Sequence, residues 1–178
     1  MNGAHDSVQN CDKVETNFFK LEQLLHYIIH KVGHLPNVGK TVLFKYLYFC
    51  DFDYYERFEE YLTGEQYRRW DHGPVPSNFD RVIQILESKE KIEKCKVEYH
   101  GYYQEKYISL EDPDIGLLSA KELDFINKTL QRFYSFNASQ ISAYSHLDTP
   151  WRVTDEKDII NYDLVFYRDP ITSVREYE

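Results

Sequence analysis

The sequence predicts an α+β fold: a mainly helical single domain with a small antiparallel sheet that includes a β-hairpin near residues 92–110. Three observations point there. Leucine, isoleucine and valine recur at helical spacing in several separate runs. Between two of these runs, apolar and charged residues alternate about a His-Gly pair, the pattern of two strands and a turn. The chain is 178 residues long, enough for one compact domain and short for two.

The elements follow in order. Leu21, Leu24, Leu25, Ile28, Ile29 and Val32 form one helical stripe, closed by Gly33 as a C-terminal cap with Pro36 beyond. A second helix is predicted from about Gly39 to Tyr55, with Val42, Leu43, Tyr46, Leu47 and Cys50 inward. Thr63-Gly64 reads as a turn and Glu65 to Asp71 as extended chain. His72-Gly73-Pro74-Val75-Pro76 reads as a loop stiffened by two prolines. Ser77 is expected to cap a third helix with Asp80 three positions on and Phe79, Val82, Ile83 and Leu86 inside.

The hairpin is expected over Ile92–Tyr99 and Tyr103–Leu110. Ser119-Ala120-Lys121-Glu122 is a capping box, with Leu118 and Leu123 placed for a hydrophobic staple. Asn137-Ala138-Ser139-Gln140 is a second capping box, opening a short helix that Pro150 stops. Ile159 to Tyr167 fits a strand or a helical turn equally. Residues 1–16 read as a flexible N-terminal segment, 17–168 as the domain and 169–178 as a C-terminal tail.

Composition narrows the function. Lys plus Arg number 21 and Asp plus Glu 30, for a net charge of −9. That balance disfavours nucleic acid and an anionic membrane as partners, since both reward clustered positive charge. No apolar run reaches the ~18 residues of a membrane span, and the N-terminus lacks the apolar core of a signal peptide. The expected compartment is therefore the cytoplasm. Residues 111–178 hold 7 basic and 13 acidic groups, an acidic concentration suited to a basic partner. The 16 Tyr, 11 Phe and 2 Trp exceed what so polar a chain would be expected to bury, and lean toward a protein-binding role. Cys11, Cys50 and Cys95 form no CxxC pair and read as reduced thiols.

The constellations that resemble chemistry are weaker than they look. His26, His30 and His34 are spaced by four, but His34 lies beyond Gly33 and no convergent carboxylate or cysteine accompanies them. A polar helix face is the better reading, and no metal or cofactor is implied. Asp51 and Asp53 project to different sides of a helix. Asp51 is better suited to accept hydrogen bonds inside the domain, from the Tyr67–Trp70 segment. Ser145-His146 with Asp148 is no local triad, because neighbours on a helix diverge by about 100°. Its expected role is a structural corner in which Trp151 covers the core and His146 bonds a loop backbone. No catalytic residue emerges. Tyr67-Arg68-Arg69-Trp70 is the tight basic–aromatic cluster. It could stack single-stranded nucleic acid, but Arg and Trp beside a rigid Gly-Pro loop better suit a protein-binding edge.

The ordered set of landmarks resembles a known family. Lys45-Tyr46-Leu47-Tyr48-Phe49-Cys50-Asp51, Leu62-Thr63-Gly64-Glu65-Gln66-Tyr67 and Gly73-Pro74-Val75-Pro76 are similar to the Panacea domain of SocA-like and GepA-like phage-associated antitoxins. Leu118-Ser119, Ser145-His146 and Pro150-Trp151 continue the series, so that the resemblance spans roughly Leu21 to Leu164. It implies a non-enzymatic antitoxin, carried by a prophage or mobile element, that binds a toxin encoded beside it. An adaptor that hands its partner to a protease and a winged-helix-like regulator of nucleic acid are the alternatives. Two features depart from the family pattern: the tail from about Val165, and the aromatic, acidic stretch Asp51 to Glu60. The expected partner surface combines Tyr54, Tyr55 and Tyr61 with Tyr67, Arg68, Arg69, Trp70 and His72. Asp51, Gly64, Gly73, Pro74, His146, Pro150 and Trp151 are the expected structural landmarks.

Overall fold

The computed structural model describes residues 14–176. Expectations placed on residues 1–13 and 177–178 lie outside the described residues. The order is α1 (Phe18–Val32), α2 (Lys40–Phe58), β1 (Tyr67–Trp70), β2 (Gly73–Pro76), α3 (Phe79–Ser88), β3 (Ile92–Tyr99), β4 (Tyr102–Ser109), α4 (Ala120–Arg132), α5 (Ala138–His146), α6 (Thr149–Val153) and a 3-10 helix (Tyr162–Tyr167). Two antiparallel pairs, β1–β2 and β3–β4, make the strand content. The architecture is α+β and mainly helical, as expected.

Helix α2 is the centre. Twelve of its thirteen residues from Val42 to Tyr54 are buried, all but Phe44, whichever way they point. A helix apolar on one stripe needs one neighbour, whereas one buried all round must be enclosed. Helices α1, α4 and α5, strand β2 and the 3-10 helix enclose it. It runs to Phe58, beyond the expected Tyr55, and stops where Glu59 turns left-handed at φ 54°. Eight of the 29 aromatic residues lie in this helix, five of them buried, so this share of the surplus is core rather than the binding surface expected of it. Tyr48 stacks on Phe52 at 4.3 Å and Phe52 on Tyr162 at 4.2 Å. Buried tyrosines need partners for their hydroxyls. Tyr46 donates to Phe133 O, Tyr48 to Asp148 and Tyr162 to Glu65 O.

The expected loop 72–76 is instead strand β2, joined to β1 across Asp71-His72. Pro76 lies opposite Tyr67 and Pro74 opposite Arg69. Ser77 N donates to Gln66 O at the next position. Alternation from that bonded pair makes 67–76 and 69–74 non-hydrogen-bonded pairs, so both prolines occupy positions whose missing N–H would point away from β1. Ser77 does not cap α3, because the helix begins at Phe79 and Ser77 lies one residue before the cap position. Asn78 precedes the helix and makes no side-chain cap bond.

The remaining helix starts agree with the sequence. Both capping boxes form, Ser119 with Glu122 and Asn137 with Gln140. Helix α5 ends at His146, however, and Pro150 opens α6 rather than stopping α5, the usual place for proline in a first turn. The hairpin turns at His100-Gly101, one residue earlier on its second strand than expected. The ambiguous stretch divides: Ile159 bridges Arg68 as extended chain, and the 3-10 helix follows. The described residues are tied down near both of their limits. Asn17 N donates to Thr63 O, and Val174 N and Ser173 Oγ donate to Glu56. No described helix is long and apolar enough to cross a membrane.

Candidate functional site

The sequence landmarks interlock. Gly73 sits at φ +108°, and a Cβ there would collide with Lys45 Cε and Ser145 Oγ. Glycine is therefore required where α2, β2 and α5 meet. Lys45 Nζ donates to Pro74 O at 3.2 Å. Gly64, at φ +70°, accepts from Thr16 Oγ1, and a Cβ there would lie 2.9 Å from Glu15 O. Asp51 accepts from Thr63 N and Oγ1 at 2.8 Å and from Tyr67 O–H at 2.5 Å, the internal role its sequence position suggested. Glu65 accepts from Asn78 N and Nδ2 and from its neighbour Gln66 N. Trp151 Nε1 donates to Trp70 O, and Arg69 lies over the Trp151 ring at 4.4 Å. Each recognisable motif thus holds another one in place, and together they set the orientation of β1.

The departures from the family pattern also pair with each other. Arg168, fully buried, donates Nε and Nη2 to Asp148 at 2.8 and 2.9 Å and Nη1 to Asp53 and Glu56 at 2.8 Å each. Arg132 adds a second cation to Asp53 at 2.5 Å. Burial pushes the Asp53 carboxyl up and the two guanidinium groups oppose that shift. Asp53 and Glu56 come from the acidic stretch and Arg168 from the unplaced tail. This part of the stretch is counter-charge for the interior.

The eight residues expected at the partner surface separate. Tyr54 and Tyr67 are buried at 2% and 0% exposure, so neither side chain reaches a partner. Tyr55 is half-buried, stacked on Tyr61 and donating to Asp163. Arg69 is half-buried against Trp151 and donates to its carbonyl. Arg68, Trp70, His72 and Tyr61 are exposed. Alternation along β1 explains the division: Tyr67 and Arg69 face inward, Arg68 and Trp70 outward.

His146 does not bond a loop backbone. Its Nε2 is buried without a hydrogen-bond partner, and its ring stacks on Trp151 at 4.3 Å. Ser145 Oγ donates to Ser142 O and Asp148 is occupied by Tyr48 and Arg168, so these three residues serve separate structural contacts. Two of the three spaced histidines converge on one hydroxyl: His26 Nε2 and His30 Nδ1 lie 3.0 and 3.2 Å from Ser109 Oγ. That cluster fastens the end of β4 to α1, and sequence spacing alone gave no sign of Ser109.

Asp51 makes one of these contacts testable. Burial raises its pKa from 3.8 to about 7, against the opposing hydrogen bonds. Between these values the folded state holds a proton that the unfolded state has lost, so this group's contribution to stability falls as pH rises from about 4 to 7. Asp51→Asn, which mimics the neutral form, is expected to flatten that part of a pH–stability profile measured by urea denaturation. An unchanged slope would assign the dependence elsewhere.

A sequence model described as antitoxin SocA-like, Panacea domain, matches residues 43–152. No curated protein and no solved structure matches the chain. The matched span runs from within α2 to within α6, includes Lys45, Asp51, Gly73, Ser145 and Trp151, and stops short of Arg168.

Proposed function

The chain belongs to the family of SocA-like antitoxins with a Panacea domain, and on that premise we propose that it is the antitoxin of a toxin–antitoxin pair, neutralising its toxin by direct protein–protein binding. Its setting in this reading is a prophage or mobile element, its partner is the product of the adjacent gene, and its compartment is the cytoplasm. The observation that carries the reading is the family match over the landmark motifs, joined to what those motifs do: they brace β1 so that Arg68 and Trp70 stand outward on a fixed support. A rigid support lowers the ordering cost of association, and exposed Trp and Arg are the residue types that dominate binding energy at interfaces.

Neutralisation by binding asks for no chemistry from this chain, and several of its buried polar groups hold one another. Asp51 fixes Tyr67 and Thr63, Glu65 fixes Asn78, and Asp148 fixes Arg168 and Tyr48. The test is co-expression with the adjacent gene. Induction of that gene alone is expected to arrest growth, and this protein is expected to restore it. A harmless neighbour, or a toxic one that is not rescued, contradicts the reading. Toxin half-life with and without this protein distinguishes blocking, which leaves the half-life unchanged or longer, from delivery to a protease, which shortens it.

A further inference from the structure

The outer side of the β1–β2 pair continues onto a third extended segment. Ile160 N donates to Tyr67 O, Arg69 N to Asp158 O and Lys157 N to Arg69 O, so residues 157–160 run along the free edge of β1. In an antiparallel array, residues directly opposite each other share a face. Val75, Arg68 and Ile159 therefore form one row across the three segments. Trp70 stands in the next row, opposite Gly73, which brings no side chain to cover the indole. On its other flank Lys157 Nζ lies 6.0 Å from the ring centroid. Trp70 is 42% exposed and Ile159 46%.

We propose that this outward face, centred on Trp70 and Ile159, is the surface that docks the toxin, and that it fits a protein offering an apolar cleft with a basic rim. The inference rests on the antitoxin reading and gives it a location and a chemistry. The apolar centre is Trp70, Ile159 and the half-buried Val75. The fringe is acidic: Asp71, Asp155 and Glu156 are exposed on the connections that frame the face, against Arg68 and Lys157 within it. Arg68 is itself engaged with the carbonyl of Lys157 at 3.0 Å. The whole-chain charge of −9 attracts a basic partner and repels a polyanion, and the acidic fringe gives a basic rim its counterpart at this face. The face also takes in Ile159 and Lys157, which lie outside the matched span; this places part of partner choice in residues that the shared motifs do not prescribe.

The test uses the full chain and the purified product of the adjacent gene. Trp70→Ala and Ile159→Asp are each expected to weaken binding by roughly 30-fold or more, the loss that marks a central anchor. Tyr103→Asp, at an exposed hairpin position remote in sequence, is expected to bind as the wild type does. Asp155→Lys with Glu156→Lys is expected to slow association, and that loss is expected to shrink at high salt. Thermal melts establish that each variant is folded, and the milder truncations Trp70→Leu and Ile159→Ala replace any that is not, with a weaker but same-direction loss of binding expected. Wild-type affinity in both Trp70→Ala and Ile159→Asp overturns the inference and leaves the antitoxin reading standing. Failure of the wild-type protein to bind overturns the reading and the inference together. Loss of (dT)16 binding or of self-association in Trp70→Ala, with toxin binding intact, also overturns it.

Discussion

Replacing Arg168 with methionine is expected to lower the free energy of unfolding by about 3–5 kcal/mol, the cost of leaving buried charges unpaired. The guanidinium is fully enclosed and answers three carboxylates that are themselves at most 1% exposed. Without it, Asp53 retains Arg132, Glu56 retains Arg175 at 3.9 Å, and Asp148 retains only the hydroxyl of Tyr48. The matched control is Arg152→Met, which breaks an ion pair with Asp169 whose two side chains are about half exposed; such pairs contribute roughly 0–1 kcal/mol. Urea denaturation of the two variants measures the contrast. A loss below about 1 kcal/mol in Arg168→Met, within the range of an exposed pair, would mean that the tail is not held by this network.

Lys45→Met is expected to have a large effect of the opposite sign. Lys45 is 1% exposed and makes one hydrogen bond, to Pro74 O, with no carboxylate in ion-pair contact among the described residues. Burial drops its pKa from 10.5 to about 7. Between those values the unfolded state binds a proton that the folded state does not, so wild-type stability rises with pH from about 7 to 10.5. Below pH 7 the cation is forced into the interior at full cost. Methionine keeps the length of the side chain without the charge, and gives up the bond to Pro74. The variant is expected to be more stable by about 2–4 kcal/mol at pH 6, with the advantage vanishing toward pH 10.5. This window lies above that of Asp51, so the two contributions separate in a pH series. A Lys45→Met protein no more stable than wild type at pH 6 would show that the ammonium finds compensation the geometry does not reveal.

Helix positions were legible wherever local chemistry decides them. Capping boxes at Ser119 and Asn137 need only four residues, and both form as read. Strand β2 was not legible, because two prolines argue against a strand unless the partner's register is known, and register is a long-range property. The same limit governed the surface. The motif Tyr67-Arg68-Arg69-Trp70 drew attention for its residue types, but alternation sends half of it inward, and Tyr67 meets Asp51 rather than a partner.

The acidic stretch misled for a related reason. Asp53 and Glu56 find their counter-charge 115 and 112 residues away in Arg168, a separation at which no local pattern gives warning. Part of the aromatic excess, likewise, is the packing of one enclosed helix. What remains outside from the expected set is Tyr61, Arg68, Trp70 and His72, with Ile159 and Lys157 added because a bridge to Arg68 brings them alongside.

Neutralisation by direct binding is tested most directly by titrating this protein into a fixed amount of the adjacent gene's product while its toxic activity is measured in vitro. Activity is expected to fall linearly and vanish at a fixed, small molar ratio, with the two proteins eluting as one complex. Inactivation by a trace of this protein, or activity unchanged at molar excess, would contradict the account.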